Sequence, residues 1–391
     1  MRTSRHRAYR AIPLLAAAVL TLIVYGATRT PSVPALASGI GSEALTAGSS
    51  TGHDLLPSSP GAASAALPGT SPATPPTRPA LSGVPEPTTH PAHPGLFPGG
   101  LLIADRGNGR LIVVTSNGTI LWRFPAQGSL PRGQKFAADD AFISPDGRTI
   151  VANDDTHDVV DRIDIATRRI VWQYGHYGVA SRQTGYLNGP DDAYPLANGD
   201  VVVADIQNCR IIQISPAKRI THQWGRTGVC TDHAPTTYGA PNGDTPLPDG
   251  GLLITEINGS RVVRLSATGK VIFDIHVPTA YPSDAHLDAN GNVVVADYST
   301  RGGVVAVTPG GRLLWRYAPA SGPGRLDHPS LAVPLADGTI LINDDFRERV
   351  VLIDPVTKKI LWQYGVTDVA GTKPGRLHIP DGVDIAPVGI F

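Results

Sequence analysis

The sequence predicts an all-β chain closed into a six-bladed β-propeller, preceded by an N-terminal hydrophobic helix and a disordered linker. Three observations carry that prediction: β-rich runs around a polar turn that return along the chain, a leader into a Gly turn that recurs, and a closing run with aromatics two residues apart. Composition agrees with it. The chain has 43 glycines and 36 prolines among 391 residues, with short Val/Ile/Leu runs in place of any long amphipathic helix.

The chain opens on MRTSRHRAYR, four arginines ahead of an uninterrupted apolar run from Ala11 to Ala27. That is the charged and hydrophobic pattern of a secretory signal, at the short limit for a membrane span. Residues 1–27 are therefore read as a signal peptide, with cleavage after Gly26 or Ala37, or as a single membrane anchor with its arginines inside. No cysteine stands near the run, so nothing supports a lipoprotein anchor. Residues 28–95 are rich in Pro, Ser, Thr, Ala and Gly, as in LPGTSPATPPTRPALSGVPEP, and read as a disordered linker. The folded part is assigned to residues 96–391. An extracytoplasmic location is expected for it, at the cell membrane or secreted.

The stretch VVVADIQNCRIIQIS at 201–215 recurs as LLIADRGNGRLIVV at 101 and GLLITEINGSRVVRL at 251, and more loosely at 292. Two further copies place Asn153 and Asn343 where the others have Asp or Glu. A second piece enters an inner strand through a polar signal and leaves at a Gly turn. Its aligned second residues are Asp139, Asp191, Asn242, Ser283, Ser330 and Asp381, at spacings of 52, 51, 41, 47 and 51. The third piece is a closing strand with Trp122/Phe124, Trp172/Tyr174, Trp315/Tyr317 and Trp362/Tyr364, which puts both rings on one face to fill the wedge between blades. The first repeat lacks an inner strand and the last piece, PDGVDIAPVG, is an inner strand alone. The two chain ends are thus expected to complete one blade and remove an exposed edge.

The D-x-x-N-x-R turns at Asp105/Asn108/Arg110 and Asp205/Asn208/Arg210 and the G-x-L-x-x-P leaders at Gly185/Leu187/Pro190 and Gly375/Leu377/Pro380 resemble NHL-repeat six-bladed β-propellers. The endings GTILWRF and KKILWQYG are also similar to repeats of pyrroloquinoline-quinone-type propellers. The turns NDDTHD and NDDFRER depart from the D-x-x-N-x-R pattern. Such propellers serve as binding platforms, sensor domains, lyases, sulfotransferases and lactonases, so the resemblance speaks for fold more than for activity.

In this architecture, function gathers on the face where the loops between second and third strands meet those that lead into the inner strands. The starts of the inner strands supply Asp139, Asp140, Asp191, Asp192, Asp244, Asp284 and Asp381, of which Asp140, Asp192, Asp244, Asp284 and Asp381 are candidate ligand-binding residues. Carboxylates ringing a channel repel one another unless a cation, a proton or solvent intervenes. Calcium is the first candidate, held by Asp140, Asp192 and Asp284, and zinc the second. The plainer reading is that these acids accept backbone N–H bonds at strand starts, which the turn chemistry of Asp favours. The loops of that face carry His157, His176, His233, His328 and His378, none at close ligand spacing. Cys209 and Cys230, the only cysteines, fall on the same face, and an even count in an exported chain favours a disulfide.

Lys plus Arg equals Asp plus Glu at 33 each, and from Phe97 onward there are 27 against 30, so no electrostatic footprint for nucleic acid exists. There is no P-loop, no G-x-S-x-G elbow and no Ser/His/Asp order. The first functional reading is a non-catalytic, monomeric binding or sensor module taking a protein, peptide or glycan on the loop-rich face. A membrane contact is expected only through an uncleaved N-terminal segment. The rival reading is a secreted metal-dependent enzyme of lyase or lactonase type, using the carboxylates and His157, His176 or His328.

Overall fold

A computed structural model describes residues 96–391; the expected signal or anchor and the linker lie outside the described residues. Twenty-four strands make six four-stranded antiparallel sheets. Blade 1 holds β1 (Leu101–Asp105), β2 (Arg110–Val114) and β3 (Ile120–Phe124). Blade 2 runs from β4 (Ala141–Ile143) through β5 (Thr149–Asp154) and β6 (Val159–Asp164) to β7 (Arg169–Gly175). The inner and second strands of the next four blades are β8 (Pro190–Pro195) and β9 (Val201–Asp205), β12 (Pro241–Pro246) and β13 (Leu252–Glu256), β16 (Pro282–Leu287) and β17 (Val293–Asp297), and β20 (Pro329–Pro334) and β21 (Ile340–Asp344). Finally β24 (Pro380–Ile385) pairs antiparallel with β1 and completes blade 1, as the sequence predicts. Among the described residues no helix is long and apolar enough to cross a membrane.

The second strands are apolar on both sides because a neighbouring blade covers each face. All five residues of β1, β9, β17 and β21 are buried. The outer strands carry the closing aromatics. Trp122 donates its indole N–H to the Ile165 carbonyl in blade 2 (2.9 Å), Trp172 to Pro216 in blade 3 (3.0 Å) and Trp362 to Ser116 in blade 1 (2.9 Å). Each of these rings therefore packs on the next blade and spends its one polar group there.

One acid ends every second strand: Asp105, Asp154, Asp205, Glu256, Asp297 and Asp344. Each accepts a main-chain N–H from the loop ahead of its own inner strand, given by His378, Ala137, Asn188, Gly239, Tyr281 and Asp327 respectively. Arg110, Arg210 and Arg349 then pair with Asp105, Asp205 and Asp344 at 2.5, 2.8 and 2.8 Å. This corrects the sequence alignment by one residue in two blades. Asp154 and Asp344 hold the acid position, and Asn153 and Asn343 precede them, reaching the next inner strand at Pro190 and Asp381. NDDFRER consequently keeps the turn's acid and arginine; only its asparagine is replaced, by Arg347.

Five of the six inner strands share an irregular start. Pro190 faces Asp205 and Ala193 faces Val203, so Asp191 and Asp192 together oppose the single residue Ala204. The same shift occurs in β12, β16, β20 and β24. A bulge of this kind re-aims side chains that a regular pleat would send to opposite faces. Cys209 and Cys230 form the expected disulfide, with Cα atoms 5.2 Å apart.

Candidate functional site: an acid mouth and the layer beneath it

All six blades contribute to a cavity of about 260 Å³ at the channel mouth, lined by Arg106, Asp139, Asp140, Asp155, Asp191, Asn242, Tyr281, Ser283, Tyr298, Ser330 and Asp381. Two sets of positions build it. One is the second residue of each inner-strand start, anticipated above as Asp139, Asp191, Asn242, Ser283, Ser330 and Asp381. The other is the residue just after the strand-end acid, where Arg106, Asp155 and Tyr298 line the cavity while Ile206, Ile257 and Asp345, at the same place in the other blades, do not. The sequence reading passed over this second set, although its fixed offset from the repeated acid marks it.

The cation that the acids require at the mouth is part of the chain. Arg106 bonds Asp139, reaches Asp381 Oδ2 at 2.7 Å and grips both oxygens of Asp155 at 2.7 Å. Burial works against its charge, but Asp139, Asp381 and Asp155 outweigh it and hold the guanidinium protonated. Burial likewise pushes Asp381 up, yet Arg106, with hydrogen bonding to Asp139 and Asp345, keeps it below the usual carboxylate range. Asp139 is pushed well up by burial and by Asp381 and Asp155. Asp191, within hydrogen-bonding reach of Asp139, is pushed up to about 7, chiefly by burial. Asn242 donates to Asp191 Oδ2 at 2.5 Å and accepts from the Tyr281 hydroxyl at 3.0 Å. Tyr281 and Tyr298 form one wall, their rings 5.4 Å apart.

The other candidates sort by position. Asp140 and Asp381 line the mouth, and ligand atoms of Asp139, Asp140 and Asp191 lie within 4.8 Å of one another. Asp192 and Asp284 sit one residue further along their strands than the mouth positions, in line with Asp140 and with Gly243, Leu331 and Gly382 in the other blades. Asp244 takes the register position that Ala193, Ala285 and Ala332 fill with core methyl groups, and it is fully buried with neither carboxylate oxygen hydrogen-bonded.

None of the five loop histidines lines the cavity. His157 pairs with Asp154 at 2.8 Å and stacks on Tyr177, and His176 stacks on Tyr186 with ring centres 3.9 Å apart. His328 pairs with Asp327 at 2.8 Å and touches the mouth only through Tyr298. His233 bonds the Asp232 carbonyl and His378 approaches Glu348 at 3.2 Å. Each has its own local partner, so the structure does not bring them together.

A family model described as outer membrane protein assembly factor BamB matches residues 217–378, less than half of the chain. No curated protein matches it. A protein of unknown function from Bacteroides caccae superposes with a TM-score of 0.53 at 16% identity, over 73% of this chain and 98% of that one. A chain of a nidogen/laminin complex gives 0.50 at 16% identity, over 74% and 98%, and a streptogramin B lyase 0.43 at 16%, over 59% and 68%. At such identity the first two likenesses speak for the architecture alone. The chain is a six-bladed β-propeller with a sequence resemblance to pyrroloquinoline-quinone-type repeats.

Proposed function

We propose that the protein is an extracytoplasmic binding module whose channel mouth captures a lysine or arginine side chain presented by a partner protein or peptide. One observation carries this reading: Asp139, Asp155, Asp191 and Asp381 converge on an open cavity against a single guanidinium. Even with one proton shared between Asp139 and Asp191, the mouth keeps a net negative charge, and the Tyr281/Tyr298 wall offers ring faces to a cation. A neutral glycan would leave that charge unanswered. The Cys209–Cys230 disulfide supports an oxidising compartment, and the partial match to an assembly factor supports a protein partner.

The test is fluorescence anisotropy of the full chain with short peptides rich in Lys or Arg, set against peptides rich in Glu. Basic peptides are expected to bind, with affinity that falls as salt rises and tightens as pH rises through about 7, where Asp191 sheds its proton. Asp155→Asn combined with Asp191→Asn is expected to weaken binding at least tenfold. Equal binding of acidic and basic peptides would overturn the reading. A second reading, the secreted metal-dependent enzyme, rests on the Asp139/Asp191 pair, because a carboxyl near neutrality beside another suits proton transfer. Lactone turnover abolished by Asp191→Asn, with the Asp155→Asn single variant active, would favour it.

A further inference from the structure

The aromatic wall of the mouth does not end at the cavity. Beyond Tyr281 and Tyr298, the Tyr298 ring centre lies 5.0 Å from that of His328 and 6.4 Å from that of Phe346, and His328 and Phe346 stand 4.3 Å apart. Phe346 is 47% exposed, the only aromatic among the well-exposed large apolar side chains of the described residues. Scattered exposed apolar residues are ordinary, but this one continues the wall of a cavity. Its place in the repeat also sets it apart. It follows the strand-end acid by two residues, where the other blades carry Gly107, Thr156, Gln207, Asn258 and Ser299. Five blades thus put glycine or a polar residue at this point of the turn, and one puts a phenyl ring beside the mouth.

The ring is held in place by its surroundings. The Phe346 main-chain N–H donates to the Asp327 carbonyl at 3.2 Å, and the next residue, Arg347, binds both oxygens of Asp368 and the Arg325 carbonyl. His328 adopts the left-handed region (φ 54°), uncommon outside glycine, and its ring pairs at 2.8 Å with Asp327, which Arg325 binds in turn at 2.8 Å. An aromatic side chain on a backbone fixed in this way offers contact area with little freedom left to lose on binding. The stacks His157/Tyr177 and His176/Tyr186 include no residue of the cavity wall, so they do not extend the mouth as Phe346 does.

We infer that Phe346, with His328 and Tyr298, forms a ledge for an aromatic side chain of the same peptide whose basic residue enters the mouth. The ledge depends on the mouth's holding Lys or Arg, since an anchored basic residue is what brings the aromatic one to it. On an extended peptide, side chains two residues apart share one face at a separation of about 7 Å. That matches the 6.4 Å step from Tyr298 to Phe346. The partner's motif is therefore a basic residue with an aromatic one two places away.

The test is fluorescence anisotropy of the full chain with two basic peptides of equal charge, identical except for Phe or Ser two residues from a central Arg. The Phe peptide is expected to bind about fivefold tighter. That ratio should hold as salt rises while both affinities fall, because ring contact is not screened. Phe346→Ser, which installs the residue type that blade 5 has at Ser299, is expected to make the two peptides bind alike, and Phe346→Trp to keep the preference. Val356→Ser, which removes an exposed apolar side chain at the opposite end of the same blade, should keep it too. Equal binding of the two peptides to the wild type, or a preference that survives Phe346→Ser, would overturn the ledge and leave the mouth as it stands. Failure of every basic peptide to bind would overturn the mouth's role and the ledge with it.

Discussion

The mouth and the layer below it present carboxylates at adjacent positions of the same inner strands, yet their charges are handled in different ways. At the mouth, Arg106 bridges Asp139, Asp155 and Asp381, so blades 1 and 2 are tied by the chain's own guanidinium. One residue further along the inner strands, Asp284 pairs with His286 and accepts from Thr245, Asp140 and Asp192 stand within hydrogen-bonding reach of each other, and all three keep an unbonded oxygen. The difference follows from where each layer gets its side chains. The mouth draws on both inner-strand starts and the turns after the second strands, so a residue of opposite charge can be supplied from a turn. The lower layer is built from inner strands alone, where the flanking positions are Gly243, Leu331 and Gly382.

Removing the internal cation should have the largest effect. Arg106→Leu leaves Asp139 and Asp381 buried at 5% and 4% exposure with no counter-charge, and breaking a buried pair on one side costs about 3 kcal/mol or more. Without the guanidinium, Asp381 loses the interaction that holds it below the usual range, so its folded pKa rises above the unfolded value. A group raised in this way takes stability from the fold as pH climbs through the interval between the two values. Chemical denaturation at pH 5 and pH 8 should therefore show the variant's deficit growing with pH, and Asp381→Asn added to it should recover part of the loss. A deficit independent of pH would mean that Arg106 acts through packing.

An isolated buried acid separates the effect of burial from that of crowding. Asp161 lies in β6, 3% exposed, and accepts from Gln173 Nε2 at 2.8 Å. Burial is the main cause that pushes it up to about 7, against the Gln173 hydrogen bond and with Asp154 a lesser contributor. The unfolded carboxyl titrates near its ordinary value, so the folded state binds the extra proton between about pH 4 and pH 7. Stability is then lost as pH rises across that window. Asp161→Asn keeps the oxygen that Gln173 needs and removes the titration. It should match the wild type at pH 4 and exceed it at pH 8 by about 2 kcal/mol, since roughly three pKa units set an upper bound near 4. If the gain is absent, burial is a smaller part of the acids' behaviour in the channel than the comparison assumes.

Much of this architecture was legible because a propeller writes its geometry repeatedly. A local pattern copied six times fixes the blade count, and an unpaired inner strand at the C-terminus announces the closure with β1. The Cys209–Cys230 bond could be read from two cysteines on one face. The site was legible only in part. Asp140, Asp192 and Asp284 were singled out, but that Asp192 and Asp284 stand behind the mouth that Asp140 lines depends on the bulge, which no spacing reveals. Arg106 was invisible because it occurs in one repeat, where a single charged turn residue looks like any solvated arginine. Asp244 stands apart, because strand alternation after the bulge sends it to the position of a core alanine.

The smallest expected change in stability is also the sharpest probe of the lower layer. Gly243→Ala introduces a methyl group 2.6 Å from Asp284 Oδ1, 3.0 Å from Thr255 Oγ1 and 3.2 Å from Asp192 Oδ2. The contacts are side-chain atoms, so rotation of Asp284 can relieve them, and the cost should be about 1 kcal/mol. The same rotation disturbs the pairing of Asp284 with His286. Basic peptides should bind the mouth as before, because Arg106 and its three acids are untouched. If peptide binding in anisotropy titrations falls instead, Asp284 and the mouth act as one site.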